Sequence, residues 1–200
     1  MRRCRAVVYS ALLAMACVLC APSSSGQTST DFDHAVAEFQ KGNYASAAEM
    51  FAQVEAASPG TTDALLYRAK SLVHISDFAG AESALRSYLQ SHRSSSDALY
   101  MLGFALNREG RPSDSLSAYT QAAAITKPTS DDLKIVGLDY ALLDDYADAT
   151  KWLEEAVTLD SKNKDAWYYL GRAYYTKARL ADARKAFERV LDLDPVNARA

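Results

Sequence analysis

Apolar residues in this chain recur at the spacing of one helical face, and the helices themselves recur at a fixed interval. In the stretch 164–197, Trp167, Leu170, Gly171 and Tyr174 stand at i, i+3, i+4 and i+7, one face of a helix. A break follows near Ala178. Ala183, Phe187 and Val190 then resume the helical spacing until Asp194-Pro195 ends it, because proline lacks the backbone donor and clashes with the preceding turn. This two-helix pattern returns every 34 residues. One small-residue column runs Ala35, Ala69, Gly103, Gly137, Gly171, and a second runs Ala47, Ala81, Ser115, Ala149, Ala183. Four residues after each member of the second column comes a large apolar or aromatic side chain: Phe51, Leu85, Tyr119, Leu153, Phe187. Turn signals separate the helices at Gly42-Asn43, Gly110-Arg111-Pro112 and Asp144-Asp145.

The columns have a physical reading. A side chain larger than methyl at Gly171 or Ala183 would push two helices apart, an overpacking that costs about 1–3 kcal/mol. The large residue at Phe187 fills the space beside them. A single hairpin cannot bury its own apolar face, so neighbours must stack. The expectation is an all-α chain in which hairpins pile up in register.

The motif Trp167, Leu170, Gly171, Tyr174, then Ala183, Phe187 and Pro195, resembles the tetratricopeptide repeat signature. The resemblance implies a right-handed α-solenoid of five stacked helix–turn–helix hairpins over residues 27–197, with repeats 28–61, 62–95, 96–129, 130–163 and 164–197. Residues 198–200 then read as the opening of a further repeat, which would leave Phe187, Val190 and Leu191 partly uncovered. Asp31, His34 and Glu38 stand where the repeat is usually apolar, which suits the polar outer face of a capping helix.

Residues 1–26 stand apart from this pattern. Arg2, Arg3 and Arg5 precede the uncharged apolar stretch Ala6 to Cys20, which is short for a membrane span of about 20 residues, and a small polar segment follows. This is the layout of a secretory signal, cut between Cys20 and Gln27, and the reading is an exported, periplasmic or secreted protein. The residues around Cys17 and Cys20 fit a lipid-anchored precursor poorly, because Ala14 and Leu19 stand where leucine and a small residue are needed. All three cysteines lie in this segment, so the rest of the chain has no thiol, disulfide or thiolate metal site. Without those three arginines, 19 bases face 25 acids, a net charge of −6 that argues against general nucleic-acid binding.

Chemistry-bearing motifs are absent. His34 falls in the first repeat and His74 and His92 in the second, no two of them at metal-ligand spacing, and there is no nucleophile elbow or phosphate-binding glycine loop. Asp63, Asp97, Asp131 and Asp165 recur at the 34-residue interval and read as helix-start residues that complement the dipole. Asp131-Asp132 and Asp144-Asp145 likewise suit a helix start and a turn. Tyr44, Tyr119, Tyr140, Tyr146 and Tyr174 fall at packing positions. The expected protein is not an enzyme and needs no cofactor or metal.

In proteins of the family that this chain resembles, first helices line a concave surface that takes ligands. That implies a peptide-binding set of Tyr100, Phe104 and Arg108, then Lys134, Leu138 and Leu142, then Tyr168, Arg172 and Tyr175. Lys70, Asn107 and Ala141 also fall at inner positions. Apart from the position at each helix start, the 20 inner positions hold four Lys or Arg and no Asp or Glu. Such a surface favours a protein or peptide with large apolar anchors and some acidic character. The ordered set of Lys, Asn and Arg by which some relatives clamp chaperone tails is missing. Two readings follow: an exported scaffold for a protein partner in envelope or secretion assembly, or the accessory segment of a longer enzyme or transport protein.

Overall fold

The computed structural model describes residues 25–196. Ten helices and no strand form among them. They are α1 (Ser25–Gln40), α2 (Tyr44–Ala57), α3 (Thr62–His74), α4 (Phe78–Ser91), α5 (Ser96–Arg108), α6 (Pro112–Ala123), α7 (Ser130–Leu142), α8 (Tyr146–Leu159), α9 (Lys164–Thr176) and α10 (Leu180–Leu193). The segment read as an export signal lies outside the described residues except for its last two positions, and so does the segment 198–200. No helix among the described residues is long and apolar enough to cross a membrane.

Each helix packs on the next in the chain, and α1 also touches α3, α5 touches α7, and α7 touches α9. The small columns explain the closeness. Ala35, Ala69, Ala47, Ala81, Ser115 and Ala149 are all fully buried. A methyl added at Gly137 would come within 2.6 Å of Leu153 Cγ, and one at Gly171 within 2.8 Å of the Phe187 ring. The large column fills the gaps so formed, and Phe51, Leu85, Tyr119 and Leu153 are buried. Tyr119 is the one fully buried tyrosine of the packing set; Tyr44, Tyr140, Tyr146 and Tyr174 are half-buried.

At the last described hairpin, Phe187 is half-buried and Leu191 exposed. Val190 departs from the expectation of exposure, because it is fully buried. It shares the phase of Val54, Ala122 and Ala156, all of them buried. The partner of α10 is α9, so this position is covered within its own hairpin and needs no further neighbour.

Helix starts are fixed by side-chain caps. Asp77, Ser95, Asp145 and Asn163 accept from the backbone N–H three residues on, and Thr129 and Asp132 form a reciprocal capping box. Asp63, Asp97, Asp131 and Asp165 lie in first turns. The ends of the first helices repeat more strictly still. Gly42, Ser76, Gly110, Asp144 and Ala178, spaced at the same interval as the columns, all have positive φ, between 57° and 83°. After each, the next backbone N–H reaches the carbonyl five residues back: Asn43 to Glu38, Asp77 to Leu72, Arg111 to Leu106, Asp145 to Tyr140 and Arg179 to Tyr174, at 2.9–3.0 Å. This is the left-handed helix stop in which glycine is at ease and a residue with a Cβ is strained.

Ala178 therefore holds strain that Gly42 and Gly110 do not. Ala178→Gly is expected to raise stability by about 0.5–1 kcal/mol, measured by urea unfolding at neutral pH. Lower stability in that variant would mean that the turn does not depend on the left-handed position.

Candidate functional site

The nine residues expected to bind a peptide all lie on α5, α7 and α9, and they divide between two cavities and three positions outside them. Tyr100, Phe104 and Lys134 meet in an open groove of about 670 Å3 that also includes Lys70 of α3. Leu138, Leu142 and Arg172 meet in a smaller cavity of about 180 Å3 between α7 and α9. Tyr175 is 66% exposed and faces a shallow hollow of the last hairpin with Leu180 and Phe187, away from both. Tyr168 is half-buried and packs on Tyr169 and Phe187, at ring-centre distances of 5.3 and 6.0 Å. Arg108 is exposed and lies over the Phe78 ring at 5.2 Å.

The larger groove is not free of acid. Asp97, Asp131 and Asp132 line it together with Lys127 and Lys134. These carboxylates come from helix starts: Asp97 and Asp131 stand at the start position that lies outside the acid-free inner set, and Asp132 follows directly. The Lys134 ammonium donates to Asp131 Oδ1 at 2.6 Å, and this hydrogen bond holds the Asp131 carboxyl below the usual carboxylate range. Asn163 also donates to Asp131, at 3.1 Å. The groove is thus mixed in charge, with an aromatic floor.

Tyr100 shapes that floor. Its hydroxyl donates to the Thr126 carbonyl oxygen at 2.6 Å and so pins the linker between α6 and α7 to α5. Burial pushes its phenol up, with Asp132 adding to the effect. Tyr100 and Tyr119 also line an apolar cavity of about 240 Å3 beyond the groove, walled by Leu116, Tyr140 and Trp152. It sits where α6, the shortest helix among the described residues at 12 residues, meets α7.

The same seam carries a residue that the sequence reading passed over. Asp139 of α7 is fully buried. Its Oδ1 accepts from Asn107 Nδ2 at 2.7 Å, which takes up the amide of an inner-face residue, and its Oδ2 has no partner. The nearby Ser115 hydroxyl donates instead to the Gly103 carbonyl oxygen at 2.8 Å. Burial pushes the carboxyl up to about 6, against the opposing hydrogen bond from Asn107. A sequence signal existed: one repeat away in either direction this position is Ala105 and Ala173, both buried. A carboxylate in a small-residue column is out of place.

A tetratricopeptide repeat model matches residues 32–95 and 68–131, and a second tetratricopeptide repeat model matches residues 141–200. The cytochrome c-type biogenesis protein CycH of Pseudomonas aeruginosa is 48% identical over 44 residues, 22% of this chain and 11% of that protein. The chain thus spans about a tenth of that relative's length. A crystal structure of MamA protein superposes with a TM-score of 0.76 at 22% identity, covering 88% of this chain and 96% of that one. YrrB, described as a repeat protein with an unusual peptide-binding site, superposes with a TM-score of 0.71 at 16% identity, covering 84% of this chain and 87% of that one. At these identities the two structures speak for the fold.

Asp139 makes the stability of the stack depend on pH. Its folded pKa lies above the ordinary aspartate value, so the folded chain holds the proton more tightly than the unfolded one. The stabilisation is complete below about pH 4 and is lost as pH rises through about 6. Asp139→Ala, which restores the residue of the neighbouring repeats, is expected to raise stability at pH 7.5 by about 1–3 kcal/mol and to flatten the decline between about pH 4 and 6. Urea unfolding across that range checks both, and an unchanged slope would show that the carboxyl is not buried as described.

Proposed function

The chain belongs to the tetratricopeptide repeat family, and from that premise we propose that it is an exported, non-catalytic scaffold that holds a protein or peptide partner in its concave groove, in cell-envelope or secretion assembly. The proposal includes a right-handed solenoid whose repeats follow the 34-residue phase. The observation that carries it is the open groove of about 670 Å3, where aromatic Tyr100 and Phe104 stand beside Lys70 and Lys134 on successive first helices. Aromatic surface supplies binding energy at low entropic cost, and flanking charge sets orientation.

The partner in this reading carries large apolar anchors and some acid. Lys70 lies over the Tyr67 ring at 5.2 Å and Lys134 is paired with Asp131, so basic charge lines the groove but is partly spent. Export is supported by the three arginines and apolar stretch at the N-terminus. The similarity to a cytochrome c-type biogenesis protein supports an assembly role. A second reading, the accessory repeat segment of a longer enzyme or transport protein, draws on the small share of that relative's length that the chain spans.

The test is a photoreactive amino acid placed at Phe104 in the expressing cell, with Glu155, exposed on α8, as the control position. The expected result is one crosslinked protein band from Phe104 and none from Glu155. Crosslinks from Glu155 alone would remove the groove from the proposal.

A further inference from the structure

We infer that the small cavity between α7 and α9 is a receptor for an acidic peptide: it takes one Leu- or Phe-sized side chain, and Arg172 holds a carboxylate side chain next to it. The inference rests on the partner-binding reading above and adds to it a second seat, separate from the Tyr100 groove, for one anchor and one charge.

The size and walls of the cavity specify the anchor. It measures about 180 Å3 and is walled by Leu138, Ala141 and Leu142 of α7, Leu153 of α8, and Tyr169 and Ala173 of α9. An apolar cavity of about 150 Å3 is already enough to bind benzene, so this one accommodates a single large apolar side chain and not two. Leu142 is 59% exposed here, an apolar surface left to solvent that a bound side chain would cover.

The charge specifies what stands beside the anchor. Arg172 is the single charged residue that lines the cavity, and it is exposed. The other bases among the nine candidates and Lys70 have partners: Lys134 has Asp131, Lys70 has the Tyr67 ring, and Arg108 has the Phe78 ring. The Arg172 guanidinium has neither an acid nor a ring among the described residues. The Thr176 hydroxyl, which also lines the cavity, donates to the Arg172 carbonyl oxygen at 3.1 Å. A guanidinium presents paired donors in a rigid fork that matches a carboxylate, and such charge-assisted bonds are about twice as strong as neutral ones. An apolar pocket with one unpaired fork at its side therefore reads an apolar residue next to Asp or Glu, in either order. It is a different element from the mixed-charge groove at Tyr100, which already holds Asp97, Asp131 and Asp132 and where Asp131 occupies Lys134.

A random-peptide phage library panned on the purified chain tests this, because fused peptides present side-chain carboxylates and no free C-terminus. The expected selection is a large apolar residue adjacent to Asp or Glu. Ala141→Trp, which fills the cavity, is expected to abolish that selection. Arg172→Glu, at an exposed position that leaves folding intact, is expected to lower the affinity of the selected peptides about tenfold or more and to shift new selections toward Lys and Arg. If Ala141→Trp fails to fold, as judged by circular dichroism, the charge reversal still decides. Peptides that ignore both changes but are lost with Phe104→Ala would overturn this inference and leave the groove reading standing. A library that yields no peptide family would overturn both.

Discussion

The structure depends on one constraint: a two-helix hairpin of this composition cannot bury its own apolar face. Its helices can approach closely only because a small residue on one helix faces the large column of the other, as at Gly137 against Leu153 and Gly171 against Phe187. That close approach leaves the large column buried and the outer side of each hairpin apolar. The next hairpin then covers it. Stacking is therefore the condition for folding, and the inner surface of first helices is a by-product that recognition can use.

The turns enforce the same phase by a separate route. Five left-handed positions, evenly spaced, stop each first helix at the same point and aim the second helix back along it. Only two of them are glycine, at Gly42 and Gly110. The other three accept strain, which means that tertiary packing overrides local preference there. The seam between α6 and α7 is where this regularity is weakest. The short α6, the pinned Thr126 linker and the buried Asp139 carboxyl all fall at that seam.

The fold was legible in the sequence to a degree that the site was not. Spacing along one chain fixes helix faces and phase, so the small and large columns, the breaks near Gly42, Gly110, Asp144 and Ala178, and the helix-start aspartates could all be read. Placement across helices depends on rotamers and on which neighbour arrives, and spacing does not carry that. Tyr168 turns to Phe187, Arg108 settles on Phe78, and Tyr175 faces away, so one inner set became two cavities and three outlying residues. The groove acids escaped because helix-start positions were treated as structural alone. Val190 is covered by its own hairpin, a contact that the 34-residue spacing alone does not reveal. Asp139 is the one acid in a small-residue column otherwise held by Ala37, Ser71, Ala105 and Ala173, and that break was legible.

Hydrogen–deuterium exchange along the purified chain tests the dependence on neighbours most directly. Helices with a described hairpin on both sides, α3 to α8, are predicted to share the highest protection, with protection falling at α1 and α10, which have a hairpin on one side alone among the described residues. Protection that is highest at α10, or a central hairpin that opens while its neighbours stay closed, would contradict the account.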